Sequence, residues 1–231
     1  MNLCVIPARG GSKRIPRKNI KDFCGKPMIA WSIEAAIKSG CFDRIIVSTD
    51  DNEIADVAKK FGAEVPFVRP SNLADDYTGT TAVIAHATGW QNNNDKPPNN
   101  VCCIYATAPF LRPKDIKRGL NLLIRRDVNF AFSVTSYAFP IQRAIRITRD
   151  KKVEMFDEQC FDTRSQDCEQ AWHDAGQFYW GRALAWLQEK TIFSCEATPV
   201  VLQRYIVQDI DTPEDWQSAE LMFLTLARAG K

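Results

Sequence analysis

The sequence lacks the cysteine pattern of a domain stabilised by disulfides or zinc. Its 231 residues include eight cysteines, but no two of them form a Cys-x-x-Cys pair, so a structural zinc site is not expected. Cys4 and residues 102–103 lie in apolar runs, where cysteine behaves as a small hydrophobic residue. Cys160, Cys168 and His173 fit no familiar metal-ligand spacing. We therefore expect a reduced, cytoplasmic protein.

The chain also lacks long apolar stretches and a strong excess of charge. No run approaches the roughly 20 apolar residues that cross a bilayer, and the amino terminus has no charged leader before its first apolar segment. The formal net charge is only +2, whereas nucleic-acid-binding proteins usually carry a basic excess. We expect no membrane and no nucleic-acid partner. The ordinary hydrophobic content of 45% predicts a globular fold, which we take as one domain over residues 1–231.

Two common phosphate-binding fingerprints are missing as well. The sequence has no Gly-x-x-x-x-Gly-Lys-Ser/Thr and no Gly-x-Gly-x-x-Gly, which argues against a P-loop NTPase and an NAD-dependent oxidoreductase. A different loop, residues 7–19, follows the first apolar run. Its adjacent glycines, Gly10 and Gly11, let backbone N–H groups approach a ligand closely. Five cations lie beside them: Arg9, Lys13, Arg14, Arg17 and Lys18. Such a loop suits a triphosphate, and the alternative is a solvated basic turn.

Short apolar runs alternate with helical patterns along most of the chain. We predict strands at residues 3–7, 44–48, 65–68, 101–105, 129–134 and 206–210, and helices at 27–39, 52–61, 80–90, 113–126 and 213–228. This alternation indicates an α/β three-layer sandwich with a mostly parallel sheet, whose ligands bind beyond the carboxyl ends of the strands. Residues 136–170 interrupt the pattern with β-like pieces at 144–148 and 152–156, and we interpret them as an inserted arm, lid or oligomerisation element.

Two aspartates near the carboxyl terminus are separated by a single residue. On a strand, Asp209 and Asp211 would point to the same face, and paired carboxylates beside a triphosphate are suitable ligands for Mg²⁺, with Mn²⁺ as a substitute. The alternative is that they belong to the start of the last predicted helix. Thr212 and Pro213 can provide that start, which leaves both aspartates free for a metal.

The order of these motifs resembles that of the acylneuraminate cytidylyltransferases. The resemblance includes the basic loop, residues 26–28 and 43–50, and Arg69-Pro70. It continues through residues 106–112 to residues 209–215, so it covers nearly the whole chain. The branch that acts on pseudaminic acid is the most similar, as judged from Arg14 and from residues 105–109 and 173–180. The resemblance implies a Rossmann-like nucleotidyltransferase that moves CMP from CTP to the anomeric hydroxyl of an acidic nine-carbon sugar. It also implies a homodimer formed by the inserted arm.

The resemblance assigns roles around the nucleotide. Arg9 and Lys18 would stabilise charge developing at the α-phosphate, since positioning and electrostatics dominate such transfers. Arg69 would read the cytosine edge, with a surface ion pair as the alternative, and residues 75–80 would cradle the base. Two candidates are left for the general base that accepts the proton of the anomeric hydroxyl: Asp211 and a metal-bound water. The implied nucleotide-binding residues are Ala8, Arg9, Gly10, Gly11, Ser12, Lys13, Lys18, Asn19, Arg69, Thr78 and Thr80.

Sugar recognition leaves more alternatives open. A sugar carboxylate is best bound by a bidentate arginine. Arg164 matches the family position, and Arg143 is the other candidate, although either could be surface charge. Gln177, Phe178 and Tyr179 could line the sugar pocket, or the aromatic residues could simply form strand core. The implied sugar-binding residues are Tyr105, Thr107, Arg143, Arg164, Gln177, Phe178 and Tyr179.

Two departures from the sialic-acid enzymes bear on the substrate. Those enzymes usually have glutamine in place of Tyr105 and asparagine in place of Ala175. The loss of two amides favours a less hydroxylated sugar, which describes pseudaminic acid, a deoxy and doubly acylamino sugar. The alternatives are the same reaction on sialic or legionaminic acid, and a non-catalytic nucleotide-binding module on the same fold. The presence of Arg9 and Lys18 together with the aspartate pair favours an enzyme.

Overall fold

A six-stranded sheet with helices on both faces forms the body of the protein. The computed structural model describes residues 1–229. The strands are β1 (Asn2–Pro7), β2 (Asp22–Phe23), β3 (Lys26–Pro27), β4 (Arg44–Ser48), β5 (Asn100–Ile104), β6 (Phe130–Ser136), β7 (Ile145–Ile147), β8 (Val153–Met155), β9 (Trp172–Arg182) and β10 (Ala197–Val201). The helices are α1 (Met28–Ser39), α2 (Asn52–Lys60), α3 (Thr80–Asn94), α4 (Pro113–Arg125), α5 (Ala183–Leu187) and α6 (Pro213–Arg228).

The order of strands in the main sheet is β10-β6-β9-β5-β1-β4. β1 is parallel to β4 and β5, and β6 is parallel to β10. β9 lies between β5 and β6 and is antiparallel to both. Five of the six strands therefore run in one direction, and the prediction of a mostly parallel sheet is confirmed.

Each face of the sheet buries its own hydrophobic cluster. One cluster joins the sheet to α1, α2, α4 and α6, and it contains Ile33, Trp180 and Trp216. The other joins the opposite face to α3 and α5 and contains Ile84 and Trp186. A sheet buried on both faces needs strands that are apolar throughout, and β5 is fully buried at every residue. The predicted three-layer sandwich is confirmed.

The predicted helices begin and end at identifiable residues. α1 ends at Gly40, which adopts the left-handed conformation with φ of 62°, as is common after a helix. α6 begins with a capping box, in which the Thr212 side chain and the Asp215 side chain each accept from the other's backbone. Thr212 and Asp215 thus cap α6, so the helix start does not need the carboxylates of Asp209 and Asp211.

Two predicted strands are absent from the structure. Residues 65–68 form no strand, because Pro66 has no N–H to donate; only Glu64 makes a single bridge, to Ile46 of β4. Residue 206 of the other predicted strand ends a short 3₁₀ turn, Arg204–Ile206, and residues 207–210 continue as irregular backbone. Asp209 and Asp211 are therefore not on a strand, and the two-residue period gives no reason for them to share a face.

β9, α5 and β10 were not predicted from the sequence. β9 contains Gly176, with φ of 61°, and its register with β6 shifts between Phe132 and Val134. A strand with an irregularity of this kind loses the simple alternation that identifies strands. α5 has only five residues, which is too short for a helical period to be visible.

The segment between β6 and β9 contains the β7–β8 hairpin, within the residues predicted as an insertion. Both β-like pieces predicted there are confirmed. Several large apolar side chains are exposed along it, including Phe139 at 82%, Phe156 at 67% and Phe161 at 70%. Within residues 1–229, no helix has the length and apolar character needed to span a membrane.

Candidate active site

A cavity of about 570 Å³ lies where β1 and β5 end. The predicted location beyond the carboxyl ends of the strands is thus where the structure has its open space. Eleven of the residues predicted to bind ligands contribute to its wall. They are Arg9, Ser12, Lys13, Lys18, Asn19, Arg69, Thr78, Thr80, Tyr105, Thr107 and Asp211.

The glycine loop leaves β1 under tight steric restraint. Ala8 is buried, and its N–H donates to the Ser48 carbonyl at 2.9 Å. The Gly10 N–H donates to Asp50 Oδ1 at 3.0 Å, and a Cβ at Gly10 would lie 2.8 Å from Asp51 Oδ2. Only glycine fits here without displacing that carboxylate. Gly11, by contrast, is exposed and has open space around it.

The far end of the loop is fixed to the start of α2. Arg17 has φ of 56°, an uncommon conformation for a residue with a side chain. Its guanidinium contacts both oxygens of Asp51, at 2.5 and 2.9 Å, and also Glu53. Asp51 in turn accepts from the Ile54 N–H at 3.0 Å as the N-cap of α2. The hydrogen bonds from Arg17 are the main reason that the pKa of Asp51 falls to about 2.

Two of the remaining loop cations contact Asp76 across the cavity. Arg9 lies 2.5 Å from Asp76 Oδ1 and also donates to the Asp75 carbonyl at 3.0 Å. Lys13 contacts the other oxygen of Asp76. Lys13 and then Arg9 lower the pKa of Asp76. Arg9 therefore connects the glycine loop to the segment predicted to cradle a base.

The other two loop cations contact Asp211. Lys18 Nζ donates to the Ile210 carbonyl at 2.6 Å and lies 3.2 Å from Asp211 Oδ1. Arg14 lies 2.9 Å from Asp211 Oδ2. Asn19 closes the neck of the loop, because its Nδ2 donates to the Arg9 carbonyl at 3.0 Å. The loop thus presents cations to both walls of the cavity.

Of the two predicted metal ligands, Asp211 lines the cavity, whereas Asp209 is exposed and does not contribute to the cavity wall. Desolvation, followed by the Asp211 carboxylate, raises the pKa of Asp209. In residues 1–229, no group of three or more His, Cys, Asp or Glu is arranged to hold a metal. Two carboxylates are enough for Mg²⁺ when substrate phosphates and waters supply the other ligands. The Asp211 carboxylate, on the cavity wall, is therefore suited to share a divalent cation with a bound triphosphate, while Asp209 lies outside that wall.

Arg69 is buried at the end of β4. Its Nε donates to Ser48 Oγ at 3.1 Å, and a second N–H donates to the Ser48 carbonyl. Desolvation lowers the pKa of Arg69 to about 10, so the guanidinium is still charged at neutral pH. Its burial contradicts the alternative of a surface ion pair.

The segment before α3 is shaped by Asp75. Asp75 Oδ1 accepts from the backbone N–H of Tyr77 at 2.9 Å, and from the N–H and hydroxyl of Thr78, both at 2.7 Å. Such a turn, stabilised by an aspartate side chain, fixes the path of the backbone. Thr78 and Thr80 consequently both reach the cavity.

Comparison with known proteins identifies the family of this chain. The family model described as Cytidylyltransferase matches residues 3–215. The chain belongs to the cytidylyltransferase family. Among relatives, it is 49% identical over 222 residues to the pseudaminic acid cytidylyltransferase of Campylobacter jejuni, covering 96% of each chain. It is 31% identical to the CMP-N,N'-diacetyllegionaminic acid synthase of Legionella pneumophila, covering 94% of each.

Solved structures confirm the fold of this cytidylyltransferase. The structure of CMP:2-keto-3-deoxy-manno-octonic acid synthetase complexed with CTP superposes with a TM-score of 0.70, covering 97% of this chain and 98% of that one. The sequence identity is 17%, so the likeness concerns the fold alone. The nucleotidyltransferase sandwich that the sequence resemblance implied is therefore confirmed.

The residues predicted to bind sugar are divided between the cavity and other places. Phe178 is fully buried, and its ring lies 2.7 Å from the position a Cβ would take at Gly119 of α4. It forms strand core, which was the alternative. Arg143 and Arg164 are exposed in the segment between β6 and β9, outside the cavity wall. Arg143 donates to the Thr163 carbonyl at 3.2 Å.

Gln177 and Tyr179 are also buried on β9 and do not line the cavity. Gln177 Nε2 donates to the Ile206 carbonyl, while its Oε1 has no partner. Tyr179 lies behind Tyr105, with 5.3 Å between the ring centroids. Tyr105 and Thr107 are the two predicted sugar ligands that reach the cavity.

Sequence reasoning missed the acidic partners of the basic loop. Asp50 accepts from the Gly10 N–H, while Asp51 and Asp76 pair with cations of the loop. Asp76 was predicted only as part of the segment that cradles the base, and the other two were given no role in the site. A signal was available for the first two. They follow β4 directly, and the carboxyl ends of adjacent parallel strands meet at one edge of a sheet.

Proposed function

We propose that this cytidylyltransferase transfers CMP from CTP to the anomeric hydroxyl of pseudaminic acid. The observation that carries the proposal is the cavity itself. On one side it has a glycine loop with four cations, and on the other it has Asp211. A cationic loop opposite a carboxylate suits a polyphosphate and its counter-cation.

The chain's residues supply positioning and charge. The anomeric oxygen forms a bond to the α-phosphorus, the bond to the β-phosphate breaks, and pyrophosphate leaves. Arg9 and Lys18 would stabilise the negative charge that develops on the phosphate oxygens. The proton of the anomeric hydroxyl passes to Asp211 or to water. Ser12, Lys13 and Asn19 would bind the outer phosphates and hold the loop in place.

The proposal includes Mg²⁺ as the cofactor, with Mn²⁺ able to replace it. The carboxylates of Asp209 and Asp211 would hold the ion, which supplies neutralisation of phosphate charge when bound. The position of Asp211 on the cavity wall, opposite the cationic loop, supports this assignment.

Lys18→Ala tests the loop directly, with Lys21→Ala as its matched control. Lys21 is an exposed cation of the same segment and lies over the Trp216 ring, outside the cavity. We expect Lys18→Ala to reduce kcat by about a hundredfold or more, while Lys21→Ala stays near wild type. Equal effects of the two variants would contradict the proposed role of the loop.

Pseudaminic acid is favoured as acceptor by the relatives. Two proteins named for it are 49% and 48% identical to this chain, whereas the relative named for legionaminic acid is 31% identical and a longer protein also named for pseudaminic acid is 32% identical. Of the two sequence differences from sialic-acid enzymes, only Tyr105 reaches the cavity; Ala175 is buried in the core. Legionaminic and sialic acids remain the alternatives.

Pyrophosphate release with CTP and a panel of the three acids decides among them. We expect kcat/KM to be highest with pseudaminic acid. A higher kcat/KM with one of the other two acids would identify that acid as the substrate. Absence of pyrophosphate release with all three acids would contradict the proposed reaction.

The nucleotide should be CTP rather than UTP, ATP or GTP. Arg69 and the Asp75 turn both contribute to the cavity wall, and a site that hydrogen-bonds a base edge discriminates strongly between bases. Comparable turnover with UTP would contradict this base pocket.

We also propose a cytoplasmic homodimer. The apolar side chains exposed between β6 and β9 form a surface of the kind that mediates association. All eight cysteines are free, which suits a reducing compartment. Light scattering should give twice the chain mass, and a monomeric mass at working concentration would contradict the dimer.

A further inference from the structure

The strand order divides the cavity between nucleotide and acceptor. Arg69, proposed to read the base, contacts Ser48 at the end of β4. The phosphate loop follows β1, which lies next to β4 in the sheet. Tyr105 follows β5, on the other side of β1, and also lines the cavity. If the base and triphosphate occupy the β4 and β1 ends, the sugar acid lies toward β5 and β9.

The hydroxyl of Tyr105 is one polar group of that acceptor end, together with Thr107. It lies 3.2 Å from Thr80 Oγ1, which also lines the cavity. Its ring packs against Tyr179 of β9, with centroids 5.3 Å apart and planes at 45°. Burial raises the pKa of Tyr105 and of Tyr179, and each hydroxyl is close enough to affect the other. Both are therefore neutral hydroxyl groups at neutral pH.

Tyr179 is held in turn by Asp174. Its hydroxyl donates to Asp174 Oδ2, and Asp174 Oδ1 accepts from the Gly176 N–H at 2.9 Å. An ionised carboxylate can only accept, so the single proton of Tyr179 is committed to Asp174. Hydrogen bonds to a charged acceptor are about twice as strong as those between neutral groups. The Tyr179 ring is thereby fixed behind Tyr105.

We infer that Asp174 is a positioning residue for the acceptor, fixing Tyr105 at the sugar end of the cavity through Tyr179. Nothing in the motif pattern assigns this carboxylate a role, and it is not part of the cavity wall. The inference rests on the proposed function, because it names the group that determines how the acceptor is held. The residue that it positions, Tyr105, was predicted to bind the sugar and not the nucleotide.

The test compares Asp174→Asn and Tyr179→Phe with wild type, using CTP and pseudaminic acid. Tyr179→Phe keeps the ring and removes only the hydroxyl, so it preserves the packing of the core. It therefore still tests the inference if Asp174→Asn fails to fold. We expect each variant to raise the KM for the sugar acid by about tenfold, because Tyr105 loses the support that fixes its position and small displacements of a positioning group are costly. The KM for CTP should stay within about twofold of wild type.

The double variant provides a second measurement. Because Asp174 acts through the Tyr179 hydroxyl, Asp174→Asn in the Tyr179→Phe background should cause little further loss. Asp127→Asn is the matched control, since Asp127 pairs with Arg182 on the surface and its side chain is 92% exposed. Its KM values should equal those of wild type.

Three outcomes would overturn the inference. They are an unchanged KM for the sugar acid, an equal rise in both KM values, and additive effects in the double variant. Absence of product in the wild type would instead contradict the proposed function, so the two failures can be told apart.

Discussion

Replacing Asp51 by asparagine should detach the phosphate loop from α2 and lower the stability of the fold. Both carboxylate oxygens of Asp51 accept hydrogen bonds from the Arg17 guanidinium, and one of them also caps α2 by accepting from the Ile54 N–H. Asparagine is as good an N-cap as aspartate. The substitution therefore keeps the cap and removes the charge that holds Arg17.

The structure gives the size of this effect. The pKa of Asp51 falls from 3.8 to about 2, chiefly because of Arg17. At roughly 1.4 kcal/mol per pH unit, this is worth at most about 2.5 kcal/mol. The Arg17 side chain is 38% exposed, so solvent screening reduces the value, and we expect a loss of about 1–2 kcal/mol.

The dependence on pH follows from the direction of the shift. A carboxyl group with a lowered pKa stabilises the folded state fully above the pKa of its unfolded form, about 4. The contribution disappears as the pH falls through the folded value, about 2. The difference in unfolding free energy between wild type and Asp51→Asn should therefore be constant near neutral pH and shrink below about pH 4.

Urea unfolding across this pH range measures that difference. Asp127→Asn is the control, because its ion pair with Arg182 is largely exposed, and it should change stability by less than about 0.5 kcal/mol. If Asp51→Asn matched this control at neutral pH, or if its deficit did not depend on pH, the ion pair would not anchor the loop.

Three further changes probe other parts of the molecule. Asp211→Ala should lower turnover by orders of magnitude while the protein stays folded. If Asp211→Ala and Asp209→Ala both kept near-normal turnover, the proposed metal site would be wrong. Asp76→Asn should tighten metal-free CTP binding in calorimetry, because Arg9 and Lys13 no longer contact a carboxylate; weaker binding would contradict this. Gly119→Ala should lower the melting temperature, at a cost of about 1–3 kcal/mol, because its Cβ would lie 2.7 Å from buried rings.

The parts of the fold that could be predicted are those with uninterrupted periodicity. β4 and α6 begin and end at the predicted residues, and β1, α1, α2 and α4 are within one residue of prediction. The predictions failed where the backbone properties of a single residue determined the structure. Pro66 prevents a strand in an apolar run, and the left-handed Gly176 hides the strand that contains it. Neither effect is visible in the spacing of apolar residues.

The candidate site shows a similar limit. The glycines and cations of the loop could be found because they lie together in the sequence. Their ion pairs could not, because Arg9 and Asp76 are 67 positions apart, and Lys18 and Asp211 are 193 positions apart. Asp211 was predicted as a metal ligand, but not as the partner of Lys18. Contacts across such distances depend on the order of strands in the sheet, and a single sequence does not specify that order.

The two acidic partners of the loop have different consequences for substrate binding. Asp76 would compete with a bound triphosphate, because Arg9 and Lys13 pair with its carboxylate and are the cations proposed to contact the phosphate oxygens. Asp211 also pairs with loop cations, but as a proposed metal ligand it would join the same cation as the phosphates rather than oppose them. Magnesium should therefore relieve the repulsion between the Asp211 carboxylate and the triphosphate. It should not change the competition between Asp76 and the triphosphate for Arg9 and Lys13. It follows that Asp76→Asn should improve CTP binding with or without magnesium, whereas Asp211→Asn should improve it only without the metal.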